Sequence, residues 1–335
     1  MKEKFLETLE KFKSKKILVI GDLMLDKFSW GDVKRVNPEQ PAAPLVRICK
    51  ENYALGGAAN VANNLSALGA QTFLYGILGR DGAGNKIKKI CDKKRINLKF
   101  FYCQEPTIVK QRIMAHGQQI TRLDFGERKK MKMKKEIQET ILKNLEKEIQ
   151  EFDFIILSDY DKGFFEEDFS RKIIELANLN NKKTLVDPKP CNLNFFKKCT
   201  VISPNKHEAE KMSEIEYSNG KETLLKIGKI LGEKINSKYI IITCGEDGMF
   251  SYDVENEDSF FVGTEAREVA DVTGAGDTFA ATLTLGLACD LKIHDAAQLA
   301  NYAAGIVVEK IGTAVPLINE IKKALEDEKE NFIKG

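Results

Sequence analysis

Between residues 133 and 243 the chain alternates short, uniformly apolar runs with longer stretches in which apolar residues recur at helical spacing. The apolar runs FDFIILSD, KTLVDP, TVISPN and YIIITCGEDG read as strands. Strands that are apolar on both sides need cover on both faces of a sheet, and the helices between them supply it. The sequence therefore predicts an α/β fold: a doubly wound, mostly parallel sheet with helices on both faces.

Two other stretches, at about 27–50 and 98–125, have mixed polarity and alternate apolar with polar residues. We interpret them as insertions that build a small β-sheet lid on a single domain covering 1–335. Ligands of doubly wound sheets bind beyond the carboxyl ends of the strands. The segments at those ends are GD, SDYDKG, DPK, SPN and TCGEDG, so we expect the functional site there.

Composition argues against several classes of protein. The net charge is +2 and charges of both signs are interleaved, so neither nucleic acid nor a membrane is an expected partner. Seven scattered cysteines without a C-x-x-C pair predict reduced thiols, and three distant histidines argue against a histidine metal site. No signal core or membrane-spanning run is present, so we expect a cytoplasmic protein.

The segment DVTGAGDTF, residues 271–279, combines glycines with a carboxylate just before an apolar helical run. The first amides of a helix have no partner within it. Gly274 and Gly276 lack side chains, so an anion can approach those amides, with Ala275 between them. We interpret the segment as a cradle for phosphate. Asp277 would be kept ionised by the helix terminus and would accept a proton from an attacking hydroxyl.

A purely structural interpretation stays open for these residues. Asp277 can be a favourable charge at the N-terminus of the helix, and the glycines can simply close a turn. Motifs of other classes are absent from the sequence. It has no G-x-G-x-x-G followed by an acidic residue, no G-x-x-x-x-G-K-[ST] and no G-x-S-x-G. The dinucleotide, P-loop and serine-elbow chemistries therefore lack support.

Two segments together resemble the signatures of the PfkB (ribokinase-like) carbohydrate kinases. DVTGAGDTF is similar to the C-terminal signature and GGAANVANNLSALGA to the N-terminal one, in the family's order. The resemblance extends from about Lys16 to Pro316. It implies a ribokinase-like kinase domain that uses ATP and Mg²⁺, with Asp277 and the adjoining helix amides as catalytic groups.

The resemblance also implies positions for the nucleotide and the metal ion. SPNKHE is similar to the family's N-x-x-E element, which makes Glu208 a candidate for holding Mg²⁺ through water. TCGEDG resembles the loop beside the nucleotide, and NYAAGIV resembles the helix packed against adenine. The candidate ATP-binding residues are Asn205, Thr243, Gly245, Gly248 and Asn301. A helix cap is the alternative role for Asn205. Asp271 is the candidate for ordering a monovalent cation, whose requirement stays open.

On the sugar side, the resemblance implies contacts from Gly56, Gly57 and Asn60, although GGAAN is one residue shorter than the G-G-x-x-A-N of many members. Asp26 is the expected partner of sugar hydroxyls, with a turn residue as the alternative. The segments GDLMLDKFSWGDVKRVNPEQPAAPLVRI, IVKQRIMAHGQQITRLDFGE and LSDYDKG are similar to kinases that phosphorylate D-glycero-β-D-manno-heptose 7-phosphate at its anomeric oxygen. The implied product is heptose 1,7-bisphosphate, a precursor in lipopolysaccharide synthesis.

The predicted lid carries three cationic residues within a short stretch: Lys110, Arg112 and Arg122. On an alternating strand Lys110 and Arg112 project from the same face, where they can clamp a sugar phosphate. The alternative is a strand edge that charge protects from aggregation.

Apolar lid residues such as Phe28, Trp30 and Phe101 would be better buried against a second subunit, so we expect a homodimer joined through its lids. Many kinases of the heptose group are fused to an adenylyltransferase, and this chain resembles only the kinase part. Whether a separate adenylyltransferase acts in the same pathway stays open at the level of the sequence.

Three alternative functions stay open at the level of the sequence. A kinase of the same fold can act on another sugar, sugar phosphate or nucleoside. A non-catalytic metabolite sensor can retain the fold, although it would not need Asp277. An oxidoreductase is open on fold grounds alone, because fold does not fix function.

Overall fold

The computed structural model describes residues 1–33, 43–126, 133–218, 220–263, 271–310, 312 and 314–331, with side chains of the last helix through residue 326. The strands of these ranges are β1 (Lys16–Gly21), β2 (Leu23–Asp32), β3 (Arg47–Gly57), β4 (Gln71–Leu78), β5 (Asn97–Tyr102), β6 (Ile108–Ala115), β7 (Gln118–Phe125), β8 (Phe154–Ser158), β9 (Lys183–Asp187), β10 (Val201–Ile202), β11 (Tyr239–Thr243), β12 (Met249–Asp253) and β13 (Asp258–Val262).

The α-helices of the same ranges lie mostly between the strands. They are α1 (Lys2–Lys11), α2 (Ala58–Ala67), α3 (Gly82–Lys93), α4 (Lys135–Glu148), α5 (Glu167–Leu179), α6 (Lys206–Ser213), α7 (Lys221–Ile235), α8 (Ala275–Ala288), α9 (Ile293–Val308) and α10 (Ile318–Asn331). In the part of the chain that the structure describes, no helix is both long and apolar enough to cross a bilayer.

Nine strands form the large sheet, in the order β13-β12-β11-β10-β9-β8-β1-β4-β5. All neighbours from β5 to β11 pair in parallel, and β12 and β13 add an antiparallel edge. The fold class expected from the sequence is confirmed. The chain runs from β1 towards one edge of the sheet and from β8 towards the other, which makes the β1–β8 boundary the switch point where ligands of such sheets bind.

The core lies on both faces of the large sheet, and β1 shows why. Ile17 and Val19 pack into the apolar layer on one face, and Leu18 and Ile20 pack into the layer on the other. Because successive strand residues point to opposite faces, a strand of this kind must be apolar throughout. This is the reason that the uniformly apolar runs of the sequence marked the strands.

The remaining four strands form a small separate sheet in the order β3-β2-β6-β7. The predicted second insertion, 98–125, is only partly correct, because β5 pairs with β4 at the edge of the large sheet. The small sheet is also not purely antiparallel: β2 and β6 run parallel, since β4, α3 and β5 intervene between them in the chain. Residues 34–42 of the predicted first insertion lie outside the described residues.

Candidate active site

The carboxyl ends of β8 to β11 surround a cleft on one side of the switch point of the large sheet. Loops after β8, β9 and β10 contribute to it, together with the end of β11 and the first turn of α8. Its lining residues are Tyr160, Asp187, Lys189, Ser203, Asn205, Glu208, Thr243, Gly274, Gly276, Asp277 and Phe279. The cleft therefore lies where the sequence placed the functional site.

The first turn of α8 opens directly onto this cleft. Gly274 precedes the helix with φ of 86°, a left-handed conformation that favours glycine. A Cβ atom built on Gly276 would meet no atom within 4 Å, so the backbone there faces open space. The amide of Ala275 donates to the carbonyl of Val272 at 3.3 Å and is engaged within its own turn. The amides of the glycines, rather than that of Ala275, are thus the candidates for an anion.

Asp277 sits in that first turn with 7% of its surface exposed. Its Oδ1 atom accepts a hydrogen bond from the Tyr160 hydroxyl at 2.6 Å, and its Oδ2 atom accepts one from Asn60 Nδ2 at 2.7 Å. Burial raises the pKa of Asp277 to about 6, although the hydrogen bonds from Tyr160 and Asn60 lower it. The helix terminus therefore does not hold this pKa down as expected, but the carboxyl is still mostly ionised at neutral pH.

Asn60 is fully buried on α2, and its side chain donates a hydrogen bond to Asp277. It is not among the residues that line the cleft. The neighbouring Asn64 donates to the carbonyl of Asn60 at 2.9 Å and accepts from the Thr278 hydroxyl at 2.7 Å. These bonds fix the start of α8 against α2. The geometry assigns Asn60 a positioning role, whereas the sequence analysis expected a contact with the sugar.

The start of α6 carries the predicted metal and nucleotide residues. Asn205 caps this helix by accepting from the amide of Glu208 at 3.0 Å, and the Glu208 carboxylate accepts from the amide of Asn205 at 3.0 Å. The second carboxylate oxygen of Glu208 pairs with the ammonium group of Lys189. The alternative role considered for Asn205, a helix cap, is thus present, and a lysine occupies the cationic position beside Glu208.

Asp187 ends β9 and Lys189 lies two residues beyond it, and both side chains line the cleft. Burial raises the pKa of Asp187 to about 8; Lys189 opposes this effect, and the nearby carboxylates of Glu208 and Asp277 reinforce it. In the described ranges, no group of three or more His, Cys, Asp or Glu side chains is arranged to hold a metal ion.

Of the other nucleotide candidates, Thr243 is among the residues that line this cleft, and Gly245, Gly248 and Asn301 are not. Thr243 lines it at the end of β11 and forms a parallel bridge with Asn205. Gly248 has φ of 102°, and a Cβ atom there would come within 1.9 Å of the carbonyl oxygen of Val262, so only glycine fits this turn. Gly245 begins the short 3-10 turn before it. Asn301 is half-buried on α9, outside the set of residues that line the cleft.

The lid presents its charged face next to the cleft. Asp26 pairs with Lys110 in register across β2 and β6, and Lys110 pairs with Asp124 across β6 and β7, so these residues share a face. Arg112 donates to Asp26 at 2.7 Å, and both side chains are largely buried. Burial raises the pKa of Asp26, although Arg112 lowers it. The Lys110 ammonium lies 5.5 Å from the centre of the Tyr160 ring, which connects the lid with the cleft.

Arg122 lies further out on the same face, where it forms a bidentate pair with Asp124 at 2.9 and 3.0 Å. Both residues before α2 need to be glycine for structural reasons. A Cβ atom on Gly56 would come within 2.7 Å of Asp26 Oδ2, and Gly57 has φ of 60°, which favours glycine. The roles of Lys110, Arg112, Arg122, Gly56 and Gly57 in sugar binding stay predictions.

The loop after β8 contains a residue of the cleft, Tyr160, that was not predicted from the sequence. Two buried carboxylates hold it: Asp22 accepts from the amides of Tyr160, Lys162 and Phe164 at 2.9 to 3.2 Å. Asp159 accepts from the amide of Lys189 at 3.1 Å. Asp22, Asp159 and Lys189 lie in the strand-end segments GD, SDYDKG and DPK, and this position was the sequence feature that could have identified them. The segments were predicted to lie at the site, but these residues were given no roles.

A recessed carboxylate beside open helix amides, under a cationic lid, is an arrangement suited to transferring a phosphoryl group to a hydroxyl. The chain belongs to the pfkB family of carbohydrate kinases, whose model matches residues 14–320, and it is accordingly a sugar kinase.

Curated relatives from two bacteria carry the name "Bifunctional protein HldE". The one from Aliarcobacter butzleri is 38% identical over 92% of this chain, and the one from Helicobacter hepaticus is 36% identical over 96%. The chain spans only 64% and 66% of the lengths of these relatives. The matched region contains the kinase part described above.

Solved structures share the fold at low sequence identity. The Escherichia coli phosphofructokinase-2 in complex with potassium matches with a TM-score of 0.76 and 16% identity, covering 94% of this chain and 99% of that one. A putative ribokinase from Agrobacterium tumefaciens matches with a TM-score of 0.74 and 18% identity, with the same two coverages. These likenesses confirm the ribokinase-like architecture.

Proposed function

We propose that this kinase uses ATP to phosphorylate the anomeric hydroxyl of D-glycero-D-manno-heptose 7-phosphate, forming heptose 1,7-bisphosphate and ADP. The observation that carries the proposal is the position of Asp277: its carboxylate lies in the open first turn of α8 and accepts from Tyr160, whose ring is contacted by Lys110 of the lid. The name of the curated relatives and the heptose-kinase-like segments of the sequence support this choice of sugar.

In the proposed reaction Asp277 accepts the proton of the anomeric hydroxyl while that oxygen attacks the terminal phosphorus of ATP. The bond from this phosphorus to the bridging oxygen of ADP breaks as the new bond forms. The amides of Gly274 and Gly276 and the positive end of α8 stabilise the charge on the moving phosphoryl group. A hydrogen bond from Asn60 holds the carboxylate in place throughout.

The residues around the cleft fit a nucleotide with Mg²⁺. The backbone at Gly276 faces open space that a phosphate can fill, and the carboxylate of Glu208 offers the oxygen donor that Mg²⁺ prefers, through a water molecule. When bound, Mg²⁺ would neutralise charge on the phosphates. Asp271 remains the candidate for a monovalent cation, although its two oxygens accept from the amides of Thr273 and Gly312 at 2.9 Å.

The lid would recognise the 7-phosphate of the sugar. Lys110 and Arg112 share one face with Asp26, so that a phosphate and sugar hydroxyls could be bound side by side. Fixed cationic donors of this kind form charge-assisted hydrogen bonds with phosphate oxygens.

ADP release measured with a panel of sugars and sugar phosphates tests the proposed function. We expect turnover with heptose 7-phosphate at a kcat/KM at least about 100-fold above that with fructose 6-phosphate, ribose or adenosine, because only the heptose satisfies both the lid and the cleft. A higher kcat/KM with another acceptor would assign the enzyme to that substrate. Binding of ATP and sugar without ADP formation would identify a sensor instead.

We also propose a homodimer joined through the lids. The apolar residues expected at the interface do not carry this proposal: Phe28 is buried, Trp30 is half-buried and stacks on Phe28, and Phe101 packs at the edge of the large sheet. Leu123 and Phe125 support the lid dimer instead: both are exposed on β7, on the face of the lid opposite Arg122 and Asp124.

A separate adenylyltransferase that uses the product remains a proposed pathway partner.

Sedimentation equilibrium checks the dimer. We expect a mass twice the 37.7 kDa of one chain, and a monomer for the double variant Leu123→Glu/Phe125→Glu, because two buried charges per subunit would oppose association. The exposed Leu179, which lies on α5 away from the lid, gives the matched control Leu179→Glu, which should remain dimeric. A monomeric wild-type protein at micromolar concentration would refute the lid dimer.

A further inference from the structure

Tyr160 occupies an unusual place between the lid and the proposed base. Its hydroxyl donates to Asp277 Oδ1 at 2.6 Å, so the carboxylate already receives a hydrogen bond of the type that an acceptor hydroxyl would give. A carboxylate oxygen has two lone pairs and can accept a second donor. Tyr160 and a sugar hydroxyl can therefore bind the same carboxylate together.

The ring of Tyr160 is contacted by two ammonium groups from different parts of the fold. Lys110 of the lid lies 5.5 Å from the ring centre, and Lys189 after β9 lies 5.4 Å from it. Both distances are within the range of cation–π attraction. The ring is thus held in place from the lid side and from the body of the protein.

The backbone of Tyr160 is fixed as firmly as its ring. Its amide donates to the buried carboxylate of Asp22 at 2.9 Å, and the next residue, Asp161, adopts φ of 56° with its amide bonded to Asp159. Because backbone and ring are both held, the hydroxyl has a defined direction. A donor with a defined direction controls where the remaining lone pairs of Asp277 point.

We propose that Tyr160 is a positioning residue that keeps Asp277 ionised at neutral pH and orients its remaining lone pairs towards the acceptor hydroxyl. A hydrogen bond donated to a carboxylate favours the charged form. This inference rests on the proposed function, in which Asp277 is the base, and it adds a residue to which no role had been assigned.

The charges around Asp277 make this donor necessary. Burial and the carboxylate of Asp26 on β2 raise the pKa of Asp277, whereas Lys189 lowers it together with Tyr160 and Asn60. Asp187 at the end of β9 is a further acidic neighbour. Without the tyrosine hydroxyl, the balance shifts towards the protonated and inactive form of Asp277.

The variant Tyr160→Phe tests the proposal through the pH dependence of kcat/KM between pH 5.5 and 9. Removing one hydrogen bond to the carboxylate should move the acidic limb upward by about one pH unit. Because the wild-type pKa of Asp277 is about 6, the variant should then approach wild-type activity at pH 8.5 and fall about 5-fold below it at pH 6. A purely structural role would lower activity by one factor at every pH and would overturn the proposal, as would an unchanged profile.

Tyr75→Phe is the matched control, because the hydroxyl of the buried Tyr75 also donates to a carboxylate, that of Glu148, which lies outside the cleft. Its pH profile should follow that of the wild type.

Carbon-13 NMR titration of the Asp277 carboxyl in the ligand-free protein, assigned with Asp277→Asn, measures the same shift without turnover. An upward shift in Tyr160→Phe supports the role of Tyr160 even if heptose 7-phosphate is not a substrate. An unshifted titration refutes that role even if the sugar assignment is correct.

Discussion

Replacement of Asp277 by asparagine is expected to lower kcat by about 10²- to 10⁴-fold, the range that removal of a general base produces. Asparagine keeps the shape of the side chain but cannot accept the proton. Its carbonyl can still receive the hydrogen bond from Asn60, and its amide can donate to the Tyr160 hydroxyl, which accepts as well as donates. The fold around α8 should therefore survive, and steady-state kinetics isolates the chemical role.

Isothermal titration calorimetry and thermal unfolding complete this experiment. ATP affinity and midpoint temperature should stay close to those of the wild type, because the amides of the glycines are untouched. Asp168→Asn is the matched control: Asp168 is an exposed carboxylate on α5 that pairs with Arg171, and its loss should leave turnover unchanged. Turnover of Asp277→Asn within about 3-fold of the wild type is incompatible with a general base at this position.

Replacement of Lys110 by methionine is expected to lower kcat/KM for heptose 7-phosphate by about 10- to 150-fold, the equivalent of one hydrogen bond between charged groups. The loss should appear mainly in KM, because the contact is made before and during phosphoryl transfer alike. Heptose without its phosphate should lose far less, because Lys110 then contributes only its contact with the Tyr160 ring. The measurement is the ratio of kcat/KM for the two sugars. Lys110 suits this test better than Arg112, whose removal would leave the buried Asp26 without its cation.

Lys27→Met is the control for this variant. Lys27 lies on β2 immediately after Asp26 and therefore projects from the opposite face of the lid, where it pairs with Glu51 at 2.7 Å. The substitution Lys27→Met changes the net charge of the lid by the same amount as Lys110→Met. The comparison therefore separates a local contact from a general electrostatic effect. Equal losses in both variants, or an equal loss with both sugars, would remove the phosphate clamp from the account.

The fold could be predicted well from the sequence because two-sided burial leaves a strong pattern. β8, β10 and β11 are apolar along almost their whole length, and β9 has an apolar centre, as strands covered on both faces require. The boundary of the lid was harder to predict, because β5 and β6 both have mixed polarity. β5 has this pattern as an edge strand of the large sheet, and β6 has it as a strand of an exposed small sheet. Local pattern does not distinguish the two.

The site was predictable only where one short segment contains all of its parts. The glycines and Asp277 are neighbours in the chain, so their place at a helix start follows from local geometry. The contacts of Tyr160 and Asn60 with Asp277 join residues more than one hundred positions apart and arise only when β8, α2 and α8 pack together. The raised pKa of Asp277 has the same origin, because burial depends on the whole fold.

The structure of a ternary complex with a non-hydrolysable ATP analogue, Mg²⁺ and heptose 7-phosphate tests the central claim most directly. We expect the anomeric oxygen within about 3 Å of the Asp277 carboxylate. We also expect the terminal phosphate against the amides of Gly274 and Gly276, and the 7-phosphate against Lys110 and Arg112. A complex in which a different hydroxyl faces Asp277, or in which the terminal phosphate lies away from the first turn of α8, would contradict it.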